Sequence, residues 1–170
     1  MQEFYVVDGY NIIHAWPDFE GMIDNGLDHC RDKLIGILAN FAGFDGSSVK
    51  LVFDAHLVKQ GVEHREIIHG IEVFYTQEGE TADSLIERIV GDLGKRGTVH
   101  VVTSDWDEQR IIFGRGAYRL TPKEFRVQVI KVNKQGQEAF NRPNPTEGYL
   151  EDKLPEDIRN VLEKWRRRKN

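Results

Sequence analysis

Short, nearly continuous apolar runs alternate along this chain with longer stretches in which apolar residues recur every three or four positions. Residues 4–7, 49–53, 71–76 and 98–103 are rich in β-branched and aromatic side chains, with Lys50, Glu72 and His100 as the interruptions, and they predict strands. Leu27, Cys30, Leu34, Ile37, Leu38 and Phe41 fall on one helical stripe, entered through Asp24-Asn25-Gly26. Ala82, Leu85, Ile86, Ile89, Val90 and Leu93 form a second stripe, opened by the N-cap residue Thr81 and closed by Gly94 and Gly97. Residues 105–113 read as a further helix stopped at Gly114, and Thr121-Pro122 opens another that runs to about residue 132. Residues 55–70 are polar and lack a period, which predicts a loop with at most one helical turn. The stretch 134–153, rich in Gly, Pro and Asn, predicts a linker or long loop. A basic C-terminal helix over 154–170 follows, with Ile158, Leu162 and Trp165 as its stripe. The organisation expected is a domain over 1–133, the linker and the terminal helix. Strands alternating with helices predict an α/β fold with a mainly parallel sheet.

Composition narrows the function. At 170 residues the chain is long enough for one well-buried core. A formal net charge of −5 excludes a broadly basic surface, so contact with nucleic acid has to rest on local patches. The single cysteine, Cys30, excludes an intramolecular disulfide and a cysteine zinc cluster, and its place on an apolar stripe reads as core. No apolar run approaches the ~20 residues that span a bilayer, and Met1-Gln2-Glu3 lacks the basic start of a signal peptide. The expected location is cytoplasmic, with no membrane partner. P-loop, dinucleotide-loop, Ser-His-Asp and His-Glu-x-x-His patterns are missing, so no small-molecule cofactor and no zinc hydrolase are expected.

The chemistry concentrates where the strands end. Val6-Val7 runs into Asp8, Val52-Phe53 into Asp54, and Val101 to Ser104 into Asp105. In parallel sheets the crevice outside the carboxyl ends of the strands is where ligands bind. Glu80 and Asp83 open a helix directly after a strand and reach the same edge, while Asn11 follows Asp8 by one helical turn. Carboxylates ~4 Å apart repel by roughly 4 kcal/mol at an effective dielectric near 20, so a shared proton, a greater separation or a cation must intervene. Hard oxygen donors without His or Cys favour Mg²⁺ or Mn²⁺. Each acid also has a local reading: Asp105 as an N-cap with Glu108 completing a capping box, Asp83 as a first-turn acid, Asp8 as a turn residue and Asp54 as a loop-entry acid. Arg115, Arg119 and Lys123 around the Gly114–Gly116 turn, and Arg166 and Arg167 in the basic tail, are candidate phosphate contacts. Tyr10 is a candidate for stacking on bases, with core packing as the competing role.

Val7-Asp8-Gly9-Tyr10-Asn11, Val52-Phe53-Asp54-Ala55-His56, Glu80-Thr81-Ala82-Asp83 and Thr103-Ser104-Asp105, with Phe113-Gly114-Arg115-Gly116-Ala117, occur in order. Together they resemble the YacP-type branch of the NYN ribonucleases, within the PIN-like nuclease superfamily. The resemblance covers about 4–132, and the closing Lys164-Trp165-Arg166-Arg167 is similar to that branch as well. It implies a three-layer α/β/α sandwich and a Mg²⁺- or Mn²⁺-dependent ribonuclease site. The motif acids fall on Asp8, Asp83 and Asp105, with Asn11 beside them and Asp54 and Glu80 as further acids. Members of this branch resemble ribosome-associated endonucleases that cut messenger RNA in the A site, which makes RNA and the ribosome the expected partners. The function expected is therefore a metal-dependent endoribonuclease. The alternatives are a PIN-like module that binds RNA or ribosomes without cutting, and a metal-dependent phosphatase acting on a small substrate.

Overall fold

The computed structural model describes residues 1–54, 64–104 and 116–142, together with positions 158, 160, 161, 163 and 164. The chain divides into two compact units, Met1–Gly136 and Gln137–Asn170. In the second, the positions described beyond 142 are helical, within the stretch predicted as the terminal helix.

The first unit is built on a six-stranded sheet. In chain order the described strands and α-helices are β1 (Glu3–Asp8), α1 (Gly9–Ala15), α2 (Leu27–Asp45), β2 (Ser48–Phe53), β3 (His64–Ile68), β4 (Ile71–Tyr75), α3 (Ala82–Leu93), β5 (Thr98–Val102), β6 (Tyr118–Leu120) and α4 (Pro122–Asn141), the last of which begins in the first unit and ends in the second. The spatial order is β3-β4-β2-β1-β5-β6, with every pair parallel except β3–β4.

Successive side chains of a strand face opposite ways, and β1 shows the consequence. Tyr5 and Val7 pack with Leu34, Leu38 and Phe41 of α2, Ile12 and Ile13 of α1, and Phe125 and Val129 of α4. Phe4 and Val6 pack with Leu85, Ile86, Ile89 and Val90 of α3 on the other face. Covering both faces produces the three-layer sandwich, and it explains why the central strands read as mainly apolar runs, interrupted only at Lys50, Glu72 and His100. Long-range polar ties fix α4: the Trp16 indole Nε1 donates to the Pro122 carbonyl at 2.8 Å, and Arg126 Nε meets Asp18 Oδ2 at 2.7 Å. The first turn of α4 carries a reciprocal capping box. The Thr121 N–H donates to Glu124 Oε2 (2.8 Å) and the Glu124 N–H to Thr121 Oγ1 (3.2 Å).

Two expectations are corrected, and one element is added. His64–Ile68 is a strand and not loop, joined to β4 by a two-residue turn, His69-Gly70, with both residues at positive φ (49° and 87°). Its His-Arg-Glu-Ile-Ile sequence lacks alternation because it is a solvated, charged edge strand. Tyr118–Leu120 adds a short opposite edge that three residues are too few to announce. Finally, α4 does not stop near residue 132 but continues to Asn141, so 134–141 is helix and not linker. Lys134, Gln135, Gln137, Glu138 and Ala139 are good helix formers. The helix accommodates Gly136 because the Phe44 ring fills the space a Cβ would take, 2.2 Å from its nearest atom.

Candidate functional site

From β1 the chain passes through α2, on one face, to β2. From β4 it returns through α3, on the other face, to β5 on the far side of β1. The carboxyl ends of β1 and β5 therefore flank the point where the strand order reverses, the usual position of a crevice in such sheets.

Asp8 ends β1 there and caps α1. Its carboxylate accepts the Asn11 N–H at 3.4 Å and the Asn11 side-chain amide at 2.8 Å. Asn11 Nδ2 also donates to Thr103 Oγ1 at 3.2 Å, and Ser104 Oγ donates to Asn11 Oδ1 at 2.8 Å. Asn11 is thus a tie between two strand ends, joining residue 8 to residues 103 and 104 just after β5. Gly9 makes the tight junction possible: a Cβ there would lie 2.3 Å from the Phe53 ring.

The electrostatics centre on one buried acid that feels the charges of two others. Asp8 is only 8% exposed. Burial above all, then the charges of Asp83 and Asp54, push its carboxyl up from 3.8 to about 6, against the opposing pull of its bonds from Asn11. Asp54, just past β2, and Asp83, in the first turn of α3, are half-buried. Glu80 holds an ion pair with Arg88 Nη2 (3.3 Å), so its charge is partly compensated within its own segment. Among the described residues, no group of three His, Cys, Asp or Glu side chains is close enough to hold an ion. Asp105 lies outside the described residues, as do Arg115, Arg166 and Arg167.

Of the remaining candidates, Arg119 lies half-buried on β6 and Lys123 is exposed in the first turn of α4. Tyr10 is corrected. It is a core residue, 8% exposed, packed against Phe53 at 5.2 Å with its hydroxyl accepting from Arg31 Nη1 at 2.9 Å. Neither ring face is offered to a base. Thr103 and Ser104 were not singled out as site residues by sequence. Their link to Asn11 spans more than ninety positions, which no local pattern reveals.

A family model for the YacP-like NYN domain matches residues 5–167, a span that includes the stretch expected to be a linker. The chain is 37% identical over 166 residues to the uncharacterized protein YacP of Bacillus subtilis (strain 168), covering 97% of each sequence. It is also similar to a crystal structure of Rae1 (YacP) from Bacillus subtilis, with a TM-score of 0.72 at 35% identity over 96% of this chain and 94% of that one. A tryptophan-to-leucine mutant of the same protein aligns with a TM-score of 0.69 at 32% identity, covering 96% and 98%.

Proposed function

Because this chain belongs to the YacP-like NYN domain family, and so has a nuclease-type fold, we propose that it is a metal-dependent endoribonuclease that cuts messenger RNA in association with the ribosome. The observation that carries this reading is Asp8: a carboxylate at the switch point of the sheet, oriented by Asn11 and raised chiefly by its burial, with smaller contributions from the charges of Asp83 and Asp54. Burying a carboxylate beside others is costly for the fold alone, and the cost turns into affinity when a dication is bound.

The donor chemistry fits a hard cation, since every candidate is an oxygen and neither His nor Cys is among them. Asp8 and Asp83, with Asp105, are the residues that would hold Mg²⁺ or Mn²⁺. When bound, the metal supplies an acidified water and offsets the charge that develops on the phosphate during hydrolysis. Asn11 keeps the Asp8 carboxylate fixed and, through Ser104 and Thr103, keeps the β5 end in register with it. Glu80, paired with Arg88, acts as a positioned background charge and not as a free base. Arg119 and Lys123 stand as phosphate contacts along the RNA. The net charge of −5 supports the ribosome as partner, because a chain without a basic field gains from a large assembly that presents the RNA to it.

The test is cleavage of RNA, free and on ribosomes, with Mg²⁺ or Mn²⁺ against EDTA. Metal-dependent cutting that disappears in Asp8→Asn is expected. Undiminished cleavage by that variant removes the assignment, and binding without cleavage in either metal leaves an RNA- or ribosome-binding module in its place.

A further inference from the structure

A second concave site lies on the α3 face of the sheet, a cavity of about 300 Å³ that contains none of the crevice residues. It is lined by Lys50, Arg65, Arg88 and Arg96, by Glu72 and Asp92, and by the Phe74 ring with the apolar flank of α3. Although the chain has a formal net charge of −5, the lining of this hollow carries two more cations than anions.

The arrangement of the charges is unusual for a purely structural cluster. Lys50 sits mid-strand on β2 and is only 7% exposed. An apolar side chain there would fill the layer at lower cost, since a buried ammonium must be compensated. Its partner is Glu72, directly opposite in the β2–β4 register. The same carboxylate also takes Arg65 Nε at 2.9 Å, so one anion serves two cations. Arg88 meets Glu80, which does not line the cavity, and the Arg96 guanidinium lies over the Phe4 ring at 5.6 Å. With Arg88 paired to Glu80, Lys50, Arg65 and Arg96 face Glu72 and Asp92, and the positive charge that remains sits in a partly apolar hollow, where its field is stronger than on an open surface. Guanidinium forks match phosphate oxygens in pairs, and lysine adds a point charge. A volume of about 300 Å³ is at the lower end of small-ligand sites.

We propose that this cavity is a phosphate-binding site for a nucleotide, held by Lys50, Arg65, Arg88 and Arg96, with Phe74 as its apolar wall. The ligand is either a free mononucleotide or the phosphorylated end of an RNA strand. Neither source requires a metal, so the site stands or falls apart from the hydrolytic reading.

The experiment is calorimetric titration of the full chain in EDTA at low salt. The probes are inorganic phosphate, AMP, and a short RNA carrying either a 5′-phosphate or a 5′-hydroxyl. Arg65 and Arg96 are exposed, so Arg65→Gln/Arg96→Gln leaves the core intact, and its melting temperature is measured alongside. Phosphate and AMP are expected to bind, and the double variant to weaken AMP at least tenfold, as loss of charge-assisted bonds requires. A preference for the 5′-phosphorylated RNA that the double variant loses assigns the cavity to a strand end. AMP binding without that preference assigns it to a free nucleotide. No binding of any probe, or equal binding by the folded double variant, overturns the proposal.

Discussion

Replacing Asp8 with asparagine should make the metal-free protein more stable at neutral pH while abolishing cleavage. The magnitude follows from the crevice. Asp8 has a carboxyl raised from 3.8 to about 6, so folding favours its protonated form. Below the lower value both folded and unfolded chains carry the proton and Asp8 costs nothing. As pH rises through the window from 3.8 to about 6 the folded state increasingly holds a charge it disfavours, and above that window the full cost is present, about 3 kcal/mol. Asparagine carries no charge at any of these pH values. It remains a good N-cap for α1, but it offers one acceptor where Asp8 offers two oxygens to Asn11, and the lost bond subtracts about 1 kcal/mol. The net gain is about 1–2 kcal/mol, which for a domain of this size raises the melting temperature by about 3–6 °C. Thermal melts of both proteins in EDTA from pH 4 to pH 8 test this. The advantage of Asp8→Asn should be largest at pH 8 and vanish or reverse at pH 4. Added Mn²⁺ should raise the wild type and leave the variant unmoved. A variant that is less stable at pH 8, or a difference independent of pH, would refute the electrostatic account of the crevice.

Asn11→Ala removes the donors that link Asp8 to the β5 end. Stability at pH 7 should fall by about 1–3 kcal/mol in denaturant titration, and cleavage should drop even though no acid has been changed. Gly9→Ala pushes a methyl into the Phe53 ring; it should cost about 1–3 kcal/mol, and Phe53→Leu should restore part of the loss in a double-mutant cycle. Tyr10→Phe deletes only the hydroxyl that accepts from Arg31, so stability should fall by about 1 kcal/mol in denaturant titration.

The central architecture was legible because its causes are local. β1, β2, β4 and β5 lie in the middle of the sheet and carry mainly apolar runs, broken only at Lys50, Glu72 and His100, and α2 and α3 each show a single stripe. The two edges were not legible. β3 is solvated and charged, β6 is too short to show a period, and only their neighbours in the sheet define them. The continuation of α4 beyond 132 was hidden by Gly136, whose role depends on Phe44, a residue distant in sequence. At the site, Asp8 stood out as an acid ending a strand, and the coupling of its charge to Asp83 and Asp54 follows from the topology. The roles of Asn11, Thr103 and Ser104 depend on contacts between distant segments. Tyr10 was ambiguous because its neighbours in sequence do not reveal Phe53 or Arg31 packed against it.

The bridge through Asn11 also has a temporal side. Its two anchorages are separated by 92 and 93 positions, so a nascent chain holding only the first half of the protein has the acid and the amide but nothing to lock them against. Long-range closures of this kind form late and slowly. The Asn11 tie therefore closes only after the strand leading to Ser104 has left the exit tunnel and docked beside β1, and a fragment truncated before that strand would be born without it.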